Sequence, residues 1–508
     1  MTELNEPTPE FSKWRAFLWP VHSFEMKKFL PMFILFFLIF FDYNVLRTMK
    51  DALVVTAKSS GAEVIPFIKV WVMFPGALLM TWIFTRLSNR ISFEMVFYSI
   101  MGIFLVYFFL FAFIAYPARE SLHANAFADN LQLSMPIGFK GFIAMVRYWL
   151  FTSFYVMSEL WSPIILSVLF WGFANQVTRI GEAKRFYGLF GVGANISGAA
   201  AGALSYLCCK WGQEDQSMTL QIVLVLAAGI VAMGIFRWMH LTVLNDPRFY
   251  DPKESRKEKE VKGKLSMKEN FKILFTNPYL MQIAIIVIAY NLVINLVEVV
   301  WKHEVRMLYP NAQDFNMYMG QITFFTSIVA TLAAMIISGN SIRKFGWRVT
   351  ALLSPVVLLI TSIGFFGFIF LQDTFSISGL AYIGTSTLAI AVFFGSAQNI
   401  MSRAAKYSVF DATKEMAFVP LDPELKLKGK AAIDGVGSRL GKSGGSLIHQ
   451  SLLLTFATIG ASAPYVAGFL FAAIIVWIGA VWSLGRQFSA LTGEKIGQSK
   501  EKLESVQT

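Results

Sequence analysis

The amino-acid sequence predicts an all-α polytopic membrane protein, and composition and hydropathy pattern carry that prediction. Hydrophobic residues occupy 56% of the 508 positions and charged residues only 15%. Soluble proteins average about 25% charged residues, so most of this chain is expected to face lipid. The apolar residues form long continuous runs rather than the short alternating segments of a β-barrel, which disfavours a barrel.

Twelve apolar runs are long enough to span a membrane as helices, and they divide into two sets of six. The first set lies at about residues 28–54, 64–86, 92–116, 146–175, 185–209 and 219–244. The second set lies at about residues 278–301, 314–341, 349–372, 378–401, 430–458 and 463–486. The charged stretch SRKEKEVKGK separates the sets. The predicted domains are a tail (1–27), a six-helix half (28–244), a basic linker (245–277), a second six-helix half (278–489) and a tail (490–508).

The distribution of basic residues predicts the orientation of the chain. The side that holds both termini and the linker is rich in them, and includes Arg86, Arg90, Arg179, Arg348, Arg403 and Lys406. The other side holds little beyond Lys58, Arg119, Lys140, Lys210 and Arg306. Lys and Arg are enriched in cytoplasmic loops, so we expect both termini to be cytoplasmic. An even number of spans requires the same arrangement of the termini.

Weak internal similarity predicts that the two halves are related. WGFANQVTRIGEAKRFY (171–187) aligns loosely with FFGSAQNIMSRAAKY (393–407), and both fall where a fourth span meets its cytoplasmic loop. TRLSNRIS (85–92) and NSIRKFGWR (340–348) both follow a second span. They resemble the basic loop after the second helix in each half of major-facilitator transporters. A major-facilitator-like fold built from repeats is therefore expected.

Several charged residues fall inside the predicted spans, where each costs about 2.5–3.5 kcal/mol and needs a reason. The first span places Arg47, Lys50 and Asp51 at helical spacings of three and four, on one face. Others are Lys69 in the second span, Glu159 in the fourth, Glu298 and Lys302 in the seventh, and Arg439 and Lys442 in the eleventh. Inward-facing cations outnumber acids in this set, which suits a polyanionic substrate.

Each of these charges has two interpretations. They can pair locally, as Glu298 with Lys302 and Lys50 with Asp51, or extend to headgroups. That interpretation is favoured for Asp42, His303 and Arg306. A functional role is favoured for Lys69, Glu159, Glu298 and Lys442, because each lies at least one turn inside a span.

Two glycine-rich segments resemble nucleotide-binding motifs of other protein classes, but their residue spacing does not match those motifs. SRLGKSGGS lacks the four residues that a Walker A loop needs between its first Gly and its GK pair. GLFGVGANISGAAAG has Ile196 where a dinucleotide fingerprint needs its third Gly, so Gly198 and Gly202 are interpreted as helix-packing residues. The adjacent Cys208 and Cys209 make neither a disulfide framework nor a metal site. We therefore expect no catalytic residues, no metal, no cofactor and no nucleic-acid partner.

Three long stretches carry a resemblance to a known family. They are LRTMKDALVVTAKSSGAEVIPFIKVW, YVMSELWSPIILSVLFWGFANQVTRIGEAKRFYGLFGVGANISG and IDGVGSRLGKSGGSL. They resemble signature segments of the ATP/ADP translocases of plastids and obligate intracellular bacteria, and the likeness extends from about residue 20 to 490. The resemblance implies exchange of host ATP for internal ADP across the bacterial inner membrane. Family members that import several nucleotides with protons, or carry NAD, remain alternatives.

The same resemblance implies that two lysines and two glutamates within spans are essential. By local motif the glutamates are Glu159 and Glu298 and the later lysine is Lys442; the earlier one is Lys69 or Lys50, with Lys69 favoured. As a mechanism, we expect Arg47, Lys50, Lys69 and Lys442 to hold phosphates, while the glutamates pair with some of these cations in the empty site. Tyr155, Trp161 and Phe173 are candidates to stack on adenine.

The complete predicted substrate site is a set of inward-facing charges with a few polar and aromatic neighbours. It comprises Arg47, Lys50, Asp51, Lys69, Tyr155, Glu159, Asn175, Arg179, Glu298, Lys302, Arg439 and Lys442. The expected partners are ATP and ADP, with phosphate as a further possibility, and the lipid bilayer. A monomer is expected.

Overall fold

A computed structural model describes residues 19–246, 249, 276–371 and 386–507 of the chain. Most of the predicted N-terminal tail, most of the predicted linker and the first residues of the tenth predicted span (378–401) lie outside these ranges. Within the described ranges every regular element is a helix. The all-α prediction is therefore confirmed.

Six long helices occupy the predicted N-terminal half. They are α1 (Ser23–Thr56), α2 (Val64–Ser88), α3 (Phe93–Ala115), α4 (Trp149–Val177), α5 (Ile180–Trp211) and α6 (Glu214–Thr242). Three short helices, Arg119–Leu122, Asn125–Ser134 and Lys140–Arg147, connect α3 to α4. Each long helix coincides with one predicted span, with ends displaced by a few residues.

Six long helices occupy the described part of the predicted C-terminal half. They are α7 (Pro278–Leu308), α8 (Ala312–Ile336), α9 (Ser338–Leu371), α10 (Thr387–Ala405), α11 (Ser438–Phe456) and α12 (Ile459–Gln507). α9 bends at Gly346, whose φ of 76° favours glycine. Among the described residues, 10 helices are long and apolar enough to cross a membrane. α10 and α11 are the two long helices outside that set, and α11 carries two of the predicted site cations, Arg439 and Lys442.

Several of the long helices contain or adjoin π-helical turns. These include Ile68–Met73 in α2, Ser162–Phe170 in α4, Lys406–Phe410 after α10 and Ile433–Gly437 before α11. Such turns are uncommon and occur frequently at functional sites. The π turn in α2 carries Lys69, and the turn after α10 begins with Lys406. Hydropathy periodicity did not predict these turns.

Glycines bring α5 and α8 into backbone contact. A Cβ added at Gly202 would lie 2.5 Å from the backbone nitrogen of Phe324 and 2.6 Å from the carbonyl oxygen of Gly320. One turn earlier, a Cβ at Gly198 would overlap the side chain of Ser327. The interpretation of Gly198 and Gly202 as helix-packing residues is confirmed. The contact joins a helix of the first predicted half to a helix of the second.

The bundle is closed at the end where α1 finishes and α2 begins. A Cβ at Gly138, in the connection from α3 to α4, would lie 2.7 Å from the carbonyl oxygen of Leu453 near the end of α11. The neighbouring Lys140 forms an ion pair of 3.0 Å with Glu63, just before α2. This connection therefore covers the ends of α2 and α11.

We predict that Gly202→Ala destabilises the protein by about 1–3 kcal/mol, because the added methyl group meets backbone atoms that cannot rotate away. The measurement is the apparent melting temperature of the purified protein. Gly191→Ala is the matched control on α5, since a Cβ there meets nothing within 4 Å. Equal melting temperatures for the two variants would contradict the close approach of α5 and α8.

Candidate functional site

Lys50 lies at the centre of the first group of predicted site residues. Its ammonium nitrogen is 3.1 Å from a carboxylate oxygen of Asp51 and 3.1 Å from one of Glu159 on α4. The same nitrogen lies 3.9 Å above the ring centroid of Tyr155, one turn before Glu159, in a cation–π contact. Sequence spacing suggested the Lys50–Asp51 pair, and the fold adds the contacts with α4.

Lys302 continues the network from α1 to α7. Its ammonium nitrogen is 2.8 Å from Asp51 and 2.8 Å from Glu298, four residues earlier on α7. Glu298 also lies 3.3 Å from the ammonium nitrogen of Lys69 on α2. The predicted Glu298–Lys302 pair therefore exists, and each of its members has a second partner of opposite charge on another helix.

Together these contacts form one chain of alternating charge, which we call the ion-pair chain. Its members, in order, are Glu159, Lys50, Asp51, Lys302, Glu298 and Lys69. The three carboxylates and three ammonium groups balance, so the chain carries no net charge. Both Lys50 and Lys69 belong to it, so the contacts do not separate these two candidates for the earlier essential lysine.

Solvent exposure changes along the ion-pair chain. The side chains of Asp51 and Lys302 are 1% exposed, whereas that of Glu159 is 37% exposed. The Asp51–Lys302 pair is thus sealed from water, and the Glu159 end borders an open space. Removing one partner of a buried ion pair leaves an uncompensated charge, so the pair strongly favours the arrangement of helices in which both partners are in contact.

Four predicted site cations are not members of the ion-pair chain: Arg47, Arg179, Arg439 and Lys442. Within the described residues, neither Arg47 nor Lys442 lies within ion-pair distance of a carboxylate. The Arg47 guanidinium interacts electrostatically with Asp51, Glu159 and Glu298 without touching them. Both cations therefore remain available to an anion.

Lys442 lies among charged groups of several helices. Charged groups on four other elements, Glu159, Lys69, Glu298 and Lys406, lie within electrostatic range of its ammonium group. The side chain is nevertheless exposed. From these two observations we infer a solvent-accessible space between the helices beside Lys442, which we call the cavity. Arg439, one turn before Lys442, is also exposed.

Lys442 projects from a helix that packs closely on α7. A Cβ at Gly441 would lie 2.6 Å from the carbonyl oxygen of Ile288, and one at Gly445 would lie 2.9 Å from the Asn295 side chain. His449 is within 3.0 Å of the carbonyl oxygen of Leu296. The glycines of the SRLGKSGGS segment thus serve close helix packing, and they fix α11 against the helix that carries Glu298.

Two predicted site residues lie away from this network. Asn175 accepts a hydrogen bond of 2.7 Å from the Tyr187 hydroxyl at the far end of α4. Arg179 precedes α5, where its backbone N–H donates to the Glu182 carboxylate. The 16 residues between Glu159 and Asn175 correspond to about 24 Å along a helix. Asn175 and Arg179 are therefore not brought together with the ion-pair chain.

The three predicted adenine-stacking aromatics are not accessible in this conformation. Tyr155, Trp161 and Phe173 are all buried. The Trp161 indole donates to the carbonyl oxygen of Ile39, and the Tyr155 ring supports Lys50. Their role here is packing, because no ring face is left open to a ligand.

The interpretation of Asp42 as paired or reaching the headgroups is wrong. Its side chain is fully buried, and neither carboxylate oxygen has a hydrogen-bond partner within the described residues. No charged neighbour acts on it there. Sequence spacing gave no signal of this isolation, since Arg47 lies only five residues away in the chain.

The sequence interpretation also missed a cation beside the cavity. Lys406 was counted with the basic cytoplasmic loops, but it begins the π turn that continues α10. Its electrostatic neighbours include Tyr43 on α1. Tyr43 in turn interacts with Arg47, Glu159 and Tyr407. The loose repeat between residues 171–187 and 393–407 marked this segment, without indicating which side chain faces the cavity.

The described residues include 10 helices that are long and apolar enough to cross a membrane, which is the architecture of a polytopic membrane protein. Its fold is that of known transporters. A bacterial homologue of the iron transporter ferroportin has a TM-score of 0.55 at 14% identity, with 91% of this chain and 99% of that chain covered. A D-xylose–proton symporter also has a TM-score of 0.55, at 13% identity, with 91% and 97% covered. Both are transporters with major-facilitator-like folds, which confirms the predicted fold class.

The chain belongs to the TLC ATP/ADP transporter family, whose pattern it matches over residues 4–488. It is 47% identical to ADP,ATP carrier protein 1 of Chlamydia trachomatis serovar D over 494 residues, which cover 96% of this chain and 93% of the relative. It is 41% identical to ADP,ATP carrier protein 1 of Rickettsia bellii over 487 residues, with 94% and 97% covered. The family resemblance that the motifs carried is therefore confirmed.

We predict strong energetic coupling between Asp51 and Lys302. Each single change, Asp51→Asn or Lys302→Gln, leaves an unbalanced buried charge and should destabilise the protein by about 3 kcal/mol. The double variant restores balance, so its loss should fall short of the sum by about 1–3 kcal/mol. Thermal unfolding of the three variants measures this coupling.

The control for this cycle is the exposed Arg119–Asp215 pair, whose side chains are 25% and 61% exposed. Its coupling should not exceed about 1 kcal/mol. Additive losses at Asp51 and Lys302 would contradict their direct interaction.

Proposed function

We propose that the protein exchanges ATP for ADP across the bacterial inner membrane by alternating access, and that it catalyses no covalent step. The observation that carries this proposal is the pair of unpaired cations, Arg47 and Lys442, beside a charge-balanced chain of ion pairs. Membership of the ATP/ADP transporter family and the names of its relatives support the choice of substrates. Host ATP enters and internal ADP leaves.

Electrostatics supports a polyphosphate as the ligand of this cavity. Lys50, Lys69 and Lys302 each have a carboxylate partner, so they contribute little net positive potential in this conformation. Arg47 and Lys442 have no carboxylate partner within the described residues, so no ion pair offsets their positive potential. Charge-assisted hydrogen bonds to phosphate oxygens are strong, and Arg can make two in parallel. The substrate therefore supplies the counter-ions that the unpaired cations lack.

Two ion pairs cross between the two proposed halves and act as a gate. They are Asp51–Lys302 and Lys69–Glu298. With both termini in the cytoplasm, they lie toward the external side, beneath the connection that covers α2 and α11. We propose that they break when the carrier opens outward, and that the described conformation is open inward. Gly202 and its α8 neighbours form the contact about which the halves rock.

The gate gives a physical reason for exchange rather than net flux. When Asp51 separates from Lys302, each buried charge loses its partner. The free energy of this separation is unfavourable unless a ligand replaces the lost partner. A bound polyphosphate can pair with the released lysines, whereas an empty site cannot. The loaded carrier therefore changes state more readily than the empty carrier.

We predict that purified protein in lipid vesicles takes up labelled ATP only when the vesicles contain ADP. Internal ADP provides the substrate for the return step, so exchange should exceed uptake into empty vesicles severalfold. Equal uptake into empty vesicles would contradict obligate exchange. A lack of ATP uptake in both cases would direct the assay to NAD and other nucleotides.

A proton-coupled nucleotide importer is the second candidate, and the isolated Asp42 favours it. Its fully buried carboxyl has no hydrogen-bond partner within the described residues, which makes it a candidate to carry the coupled proton. A carrier that releases and rebinds this proton would take up ATP into empty vesicles when a pH gradient is imposed. The same uptake assay, with and without the gradient, separates the two candidates.

We predict that Lys442→Gln weakens the affinity for ATP and ADP about tenfold, because one charge-assisted contact to phosphate is lost. Lys442→Arg keeps the charge and should retain most of the affinity. The measurement is the concentration of each nucleotide that half-saturates exchange. Unchanged half-saturation in Lys442→Gln would remove this residue from the site.

A further inference from the structure

The intramembrane and cavity cations fall into two groups. Lys50, Lys69 and Lys302 have carboxylate partners at 2.8–3.3 Å. Arg47 and Lys442 have none within the described residues, and Lys406 shares this property. Cations held near one another without counter-ions raise the local potential, which a bound anion lowers. Lys406 is not part of the ion-pair chain or of the proposed gate.

Local competition for carboxylates explains why Lys406 has no ion-pair partner. Two acids, Asp411 and Asp434, lie within electrostatic range of it. Asp434 instead pairs with Lys414 at 2.8 Å, so its charge is already compensated. Asp411 is five residues away on the same segment and does not reach ion-pair distance.

Lys406 lies close to charged and polar groups of α1 and α11. The residue begins the π turn Lys406–Phe410, which changes the angular spacing of side chains relative to an α-helix. Tyr43 on α1 lies within electrostatic range of Lys406, and so does Lys442 on α11. Lys406 therefore lies near both α1 and α11, on the same side of these helices as Tyr43 and Lys442.

We propose that Lys406 is a further nucleotide-binding residue, which joins Arg47 and Lys442 in a three-cation site for the polyphosphate group. This inference rests on the proposed function and extends it to a residue of α10. Arg47 belongs to the first predicted half, and the other two belong to the second. A polyphosphate held by all three draws α1 toward α10 and α11 and closes the cavity on the side opposite the gate. The contacts of the bound substrate thus offset the electrostatic energy that is lost when the external ion pairs separate.

The test is ADP binding to the purified full-length protein, measured by calorimetry for the wild type, Lys406→Gln and Lys406→Arg. We expect Lys406→Gln to weaken ADP binding about tenfold, and Lys406→Arg to bind within about threefold of the wild type. Inorganic pyrophosphate should compete with ADP in the wild type and compete about tenfold less well in Lys406→Gln. Adenosine, which has no phosphate, should bind both proteins equally.

Lys344→Gln is the matched control, because Lys344 is an exposed lysine at the start of α9. It should bind ADP as the wild type does. Wild-type ADP affinity in Lys406→Gln would overturn the inference. Equal losses of ADP affinity in Lys406→Gln and Lys406→Arg would also overturn it, because they would indicate a structural role at the helix end. If the wild type and Lys344→Gln bind no ADP, the proposed function fails instead.

Discussion

The Asp51 carboxylate, shared between Lys50 and Lys302, is the interaction on which the centre of the molecule depends. It is buried, and it joins neighbouring cations that sit on α1 and α7. Each lysine has one further carboxylate, so the contacts extend through Glu159 to α4 and through Glu298 to α2. Four helices are thereby fixed by charges that have no alternative partners in a membrane.

Sequence alone predicted the charged residues of this network but only part of its pairing. Hydropathy located Lys50, Asp51, Glu298 and Lys302 within spans, because an ionisable group stands out in an apolar run. The Glu298–Lys302 pair follows from helix geometry, because side chains four residues apart lie on one face. The Asp51–Lys302 contact joins residues on different helices, and a single sequence contains no signal for that distance.

Three residues lie in surroundings that the sequence did not indicate. Lys406 was counted with the basic residues of the cytoplasmic side, and in the structure it begins a π turn that continues α10. Tyr155 was chosen for its ring, but burial beneath Lys50 leaves no face for a ligand. Asn175 was included in the predicted site, and the length of α4 places it far from Glu159. In each case the tertiary environment, and not the residue type, decides the role.

Charge balance connects the architecture to exchange. In the proposed mechanism the closed external side needs no ligand, because the ion-pair chain is neutral by itself. In the same mechanism the open side attracts an anion, because Arg47 and Lys442 have no carboxylate partner within the described residues. If the halves rock and the external pairs separate, the released lysines become the unbalanced set, and the same anion can satisfy them. A polyanion is then required in both states, whereas a neutral substrate would leave the released charges of α1, α2 and α7 uncompensated.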